Sequence, residues 1–164
     1  MLFIKTYLLV STLLFFCLFA KSQVKNLNAT KTNQSVKIDG NLTDVAWKNV
    51  PYVTDFVTAQ PVFGNISAHK TEVKVIYDNE AIYVAAYLYD NPETIRKQFT
   101  ERDKLDRQDV DIFTIGFDTY QDRLNAFVFR VSSAGVQGDT KISNSSTYDV
   151  TWDAVWDSKV SFKK

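Results

Sequence analysis

Asp106 to Asp139, DRQDVDIFTIGFDTYQDRLNAFVFRVSSAGVQGD, holds two long apolar runs joined by a short polar turn. Val110 to Phe117 and Ala126 to Val131 are rich in β-branched and aromatic residues. Between them, Asp118-Thr-Tyr-Gln-Asp122 has the polar chemistry that ends strands. The pattern predicts a β-hairpin at the centre of a sheet. Strand side chains alternate with period two, which puts Phe113, Ile115 and Phe117 on one face of the first strand and Phe127, Phe129 and Val131 on one face of the second. That face is the expected core. The other, with Thr114, Gly116, Arg130 and Ser132 among its apolar residues, is expected to be the wetter one, open to a ligand or another layer. Ala134-Gly135 then turns the chain into a third strand, Val136 to Ile142.

Working outward, Thr71 to Asp90 predicts a second hairpin, turning at Asp78-Asn79-Glu80. Its return strand, Ile82 to Tyr89, is apolar on both faces, so it is expected to be central and covered on both sides. Val36 to Ile38 reads as a short strand, and Asn41 to Val50 as one helical turn capped by Thr43 or Asp44 with Trp47 pointing inward, stopped by Pro51. Tyr52 to Ala59 reads as a strand ending at Gln60-Pro61 and a loop through Gly64-Asn65. Pro92 at a first helical position predicts a second short helix to about Phe99, and Val155 to Phe162 a last strand. Strands at short intervals with one or two helical turns between them define an all-β fold, an antiparallel β-sandwich of immunoglobulin-like or jelly-roll type.

A chain of 164 residues suits one domain. Residues 1–22 carry the marks of a secretory signal peptide: Lys5, the apolar run Tyr7 to Phe19, and the small-x-small site Ala20-Lys21-Ser22. Residues 23–35 read as a flexible polar leader, and 36–164 as the sandwich. The one cysteine, Cys17, lies in the signal, and Phe16 before it is too large for a lipidation site. The exported chain then has no thiol for a disulfide, a metal or nucleophilic catalysis. Of the 19 basic residues, Lys5 and Lys21 leave with the signal, so 17 remain against 19 acidic ones and the net charge is −2. Such a balance draws neither nucleic acid nor an anionic membrane.

Several blocks together carry a resemblance. They are Ile38-Asp39-Gly40 with Ala46-Trp47; Val73-x-Val-x-Tyr77-Asp78 with Ile82-Tyr83-Val84; Asp109-Val-Asp-Ile-Phe113; Asp118-Thr-Tyr120-x-Asp122-Arg123; and Phe129 with Gly135-Val-Gln-x-Asp139. In this order they resemble family 9 carbohydrate-binding modules, as found at the N-terminus of large secreted or outer-membrane proteins of Bacteroidetes-like bacteria. The resemblance implies a secreted β-sandwich that binds polysaccharide, often beside a glycoside hydrolase, in carbohydrate catabolism. Relatives continue with further strands, so the resemblance also implies a C-terminally truncated chain. One departure stands out: the tryptophan that stacks on sugar in such members, just before the block matching Gln108 to Phe113, is replaced by Leu105 or a neighbour, none of them aromatic.

Sugar recognition needs flat apolar faces for ring C–H groups and paired hydrogen-bonding side chains for hydroxyls. The candidates are Tyr120, Trp152 and Trp156 as platforms and Arg102, Asp103, Asp109, Arg123 and Asp153 as polar partners, with Trp47 assigned to the core. The competing reading makes Trp156 core and the charged loop a solvated rim. Asp118 and Asp122 bracket a turn and are candidate ligands for calcium, a metal that stabilises some members of the family; the alternative is a solvated, salt-bridged loop. Asp109 and Asp111 would share a strand face, but glycoside hydrolysis wants two carboxyls across a cleft, so no catalytic residue is assigned. With Met1 in the signal and His69 the one histidine, a Met/His haem site is excluded.

Overall fold

The computed structural model describes residues 25–105 and 109–163. The signal peptide reading lies outside these residues, as do Asp106, Arg107 and Gln108 of the hairpin block. The described chain is an all-β sandwich of two sheets and one 3-10 turn. The first sheet holds β1 (Thr30–Lys31), β2 (Thr71–Tyr77) and β3 (Ile82–Leu88), in that order. The second holds β4 (Ile112–Phe117), β5 (Ala126–Ser132), β6 (Gln137–Ser143) and β7 (Thr147–Asp149), also in order. No helix among the described residues is long and apolar enough to cross a membrane.

Both hairpins form where the alternation puts them. In the first, Thr71 faces Leu88 and Tyr77 faces Ile82. Its turn closes because the Asp78 carboxylate accepts the N–H groups of Glu80 and Ala81, each at 2.8 Å. Trp47, delivered by the 3-10 turn Val45–Trp47, is buried against Ile76 and Ala85, with Ala46 and Val50 beside it. This is the inward turn expected, but Asp44 does not cap it. Its Oδ2 instead accepts the Lys37 N–H at 3.0 Å, which leaves 36–38 extended without a ladder. Lys74 ties the turn to the sheet by donating from Nζ to the Trp47 carbonyl at 3.0 Å.

Further expectations need correction. The polar leader contains β1, which pairs parallel with the end of β2 through Thr30 and Lys31, because a β-branched residue there can complete the sheet's open edge. β3 is not central: among the described residues its far side has no strand, so Ile82 and Leu88 stay exposed. Tyr52 to Ala59 makes only single bridges, Val53 to Val73 and Val57 to Ile66. The helix after Pro92 is one turn, closed by the Thr94 N–H on the Asn91 carbonyl. The chain is then drawn out beside β4, where the Arg96 N–H and side chain bind Asp111 and Lys97 bridges to Val110.

In the second sheet, Phe113 faces Val131, Ile115 faces Phe129 and Phe117 faces Phe127, so these six share a face as expected, although β4 itself is the edge strand. The same register carries Gln137, Asp139 and Lys141 of β6 onto that face. The opposite face is not simply the wetter one. Ser132 and Thr140 there are buried, and fully buried Leu105 lies 3.2 Å from where a Gly138 side chain would start. Val155 to Phe162 forms no ladder, yet burial alternates residue by residue from Trp152 to Val160. It is an extended strap, its inward side chains laid against the sheet.

Candidate functional site

The nominated residues separate into three places. The first is a polar hub centred on Arg102. Before β7 begins, β6 has a free edge, and the loop carrying Arg102 pairs there. The Asp103 N–H donates to the Gln137 carbonyl at 3.2 Å, and the Asp139 N–H donates to Asp103 Oδ1 at 2.9 Å. Arg102 can therefore reach Gln137 Oε1 at 2.9 Å, Asp139 Oδ1 at 2.7 Å and Asp153 Oδ1 at 2.7 Å. Asp139 is completely buried and also accepts from the Ala154 N–H at 2.6 Å and from Trp156 Nε1 at 3.2 Å. Gln137 Nε2 donates to the Trp156 carbonyl and the Ser158 hydroxyl.

The platforms expected at this hub are packed inward. Trp152 lies on Phe127 at 4.9 Å between ring centroids and edge-on to Phe129, and Trp156 meets Phe129 edge-on at 5.2 Å. Arg102, Asp103, Trp152, Asp153 and Trp156 thus come together as proposed, but they bind the strap to the sheet. Leu105, in the place of the stacking tryptophan, is core. Asp109 lies apart, paired with Arg96 Nη1 at 2.6 Å, while Asp111 takes Arg96 Nη2 at 2.9 Å. These two acids, Asp109 first, raise the Arg96 pKa above its ordinary value, and both are committed to a surface ion pair.

The third place is the β4–β5 turn. Gln121 and Arg123 have positive φ angles of 56° and 58°, a conformation non-glycine residues adopt only when their surroundings hold them there. The carboxylates do this holding. Asp118 accepts the N–H groups of Asp122 and Arg123, while Asp122 accepts those of Leu124 and Asn125 and the Asn125 side-chain amide. The Leu124 N–H, then the Asn125 side chain, hold the Asp122 pKa below its ordinary value. Asp118 and Asp122, the candidate calcium ligands, both spend their oxygens on closing the turn. Among the described residues no group of three or more His, Cys, Asp or Glu side chains is placed to hold a metal ion.

Beside this turn opens a cleft of about 290 Å³, lined by Tyr120, Asp122, Asn125, Phe127, Lys141 and Ser143 among others. Small-ligand clefts begin at about 300 Å³, so the space suits a single sugar ring or the end of a chain. Tyr120 is 71 % exposed, and no ring stacks on it among the described residues. Lys141, Asn125 and Ser143 went unnominated, although Gln137-x-Asp139-x-Lys141, three polar residues at strand period beside apolar strands, was a readable signal.

No protein-family model matches the chain, nor does any curated protein or solved structure.

Proposed function

We propose that this chain is a secreted, non-catalytic carbohydrate-binding module that grips polysaccharide at the β4–β5 turn, in association with a carbohydrate-degrading system acting on O-glycosyl bonds. The observation that carries the reading is the exposed Tyr120 ring at a cleft where Asn125 and Ser143 supply amide and hydroxyl partners. An aromatic face beside a few hydrogen-bonding groups is what a sugar ring requires. The sequence resemblance points the same way, with the contact moved from the tryptophan position to Tyr120. Affinity gel electrophoresis against a panel of plant and microbial glycans tests it. Retention is expected, weakened about three- to tenfold in Tyr120→Ala, the range an aromatic contact spans. No retention by any glycan overturns the reading.

A second reading, a structural module that docks on the remainder of a larger outer-membrane or secreted protein without binding sugar, is favoured by one observation. Phe63, Ile66, Phe99 and Val155 are large apolar side chains left exposed. It predicts that these residues become protected from solvent labelling when the chain sits in a larger assembly, with no glycan bound.

A further inference from the structure

Around the Tyr120 cleft the acidic and basic side chains are used differently. Asp122 and Asp118 turn back onto backbone N–H groups of their own loop, as described. Asp149, across β7 from Lys141 in the ladder, turns its Oδ1 to the Thr151 N–H at 3.0 Å and hydroxyl at 2.7 Å. The basic groups do not follow. Among the described residues the Lys141 ammonium, in the cleft wall, makes no hydrogen bond or close ion pair, although its charge, after the Thr151 hydrogen bonds, also helps hold the Asp149 pKa low through space. The Arg123 guanidinium is likewise without a partner. It lines a second cleft of about 260 Å³ that adjoins the first through Asn125, Ala126 and Ile142. Both lie near Tyr120. Beside the neutral Asn125 and Ser143, the turn and β6 therefore offer an incoming ligand two cationic donors, while the nearby carboxylates hold the turns.

We infer that the cleft selects acidic sugars, with Lys141 binding the anionic group of a ring stacked on Tyr120 and Arg123 receiving that of a neighbouring residue. This rests on the sugar-binding reading above and narrows it to a substrate class. A carboxylate on Lys141 makes a charge-assisted hydrogen bond, stronger than any a neutral hydroxyl forms there, and its strength falls with salt. Uronates and sulfate esters share the required charge, so the probes must separate them.

Isothermal titration of the protein with tetragalacturonate, a κ-carrageenan tetrasaccharide, which carries sulfate but no carboxylate, and cellotetraose makes the test. Tetragalacturonate or the sulfated oligomer is expected to bind at least tenfold more tightly than cellotetraose at low salt, the advantage shrinking at high salt. Whichever of the two binds tighter identifies the anionic group. Lys141→Gln is expected to erase about tenfold of that preference, read as the ratio of acidic to neutral affinity, and Lys141→Arg to keep it. Arg123→Gln should reduce acidic binding more for the tetramer than for a monosaccharide. Equal or tighter binding of cellotetraose overturns the acidic preference and leaves sugar binding standing. No binding of any of the three, or of any glycan in the wider panel, overturns both.

Discussion

Replacing Arg102 with alanine strikes the strap's attachment at a charged centre. Asp139 is 0 % exposed, and among the described residues its carboxylate accepts from Arg102 Nη2 at 2.7 Å, the Ala154 backbone N–H at 2.6 Å and Trp156 Nε1 at 3.2 Å. The substitution leaves the two neutral donors and removes the countercharge. Stranding a buried carboxylate costs about 3–5 kcal/mol when both partners are fully enclosed. Arg102 itself is 39 % exposed, so water reaches the vacated side, and about 2–3 kcal/mol is the expected loss. Urea unfolding followed by tryptophan fluorescence reads it: with a slope of about 2 kcal/mol/M, the midpoint falls by about 1–1.5 M at unchanged slope. Asp139→Asn in the Arg102→Ala background removes the stranded charge and should restore roughly half of the loss. The two substitutions are then non-additive by about 1 kcal/mol or more. An Arg102→Ala midpoint within 0.2 M of the parent, or strict additivity of the pair, would refute the assignment of Asp139 as an ion-paired anchor.

Two other perturbations probe local geometry. Gly40 has φ +80°, and a Cβ there would sit 3.1 Å from the Ser161 Cβ and from strap backbone; its carbonyl accepts the Ser161 hydroxyl at 2.6 Å. Gly40→Ala is expected to cost more than about 1 kcal/mol and to hasten proteolytic cutting between Trp156 and Lys163, and an unchanged cutting pattern would show that the strap is held elsewhere. Acid should weaken the turns. Hydrogen bonds lower the folded pKa values of Asp78 (the Glu80 N–H first), Asp122 (the Leu124 N–H first) and Asp149 (the Thr151 hydroxyl first). Their contribution is complete above the unfolded value, about 3.9, and is lost as pH falls through the lower folded values. Urea midpoints measured from pH 6 to pH 2.5 should drop below about pH 4, less steeply in Asp122→Asn; a flat profile would contradict the turn-holding role of these carboxylates.

Much of the architecture was readable because its signals are local. Val73-x-Val75 and Phe113-x-Ile115-x-Phe117 announce strands by period two, and Asp78 and Asp118 to Asp122 announce turns by side chains that bind their own backbone. Trp47 was placed correctly for the same reason: an apolar ring on a turn halted by Pro51 has only the adjacent sheet to cover it. The misreadings share a cause as well. Ile82 to Leu88 is apolar on both faces, but whether a strand lies on its far side depends on sheet order, which alternation does not encode. Leu105 was considered only as a missing platform, although an aliphatic side chain finds its place over a glycine on the opposite face.

What the residues determined alone is the set of strands, the composition of their faces and the closure of the tight turns, since these depend on neighbours a few positions apart. Tertiary structure decided which polar groups meet. Arg102 binds Asp139 and Asp153, 37 and 51 positions along the chain, through the register of one free strand edge. That same register brings Lys141 of β6 to the cleft that Tyr120 lines, because each one-residue step along a strand moves a side chain to the other face, and the rings of Phe127 and Phe129 on the same sheet take Trp152 and Trp156 of the strap.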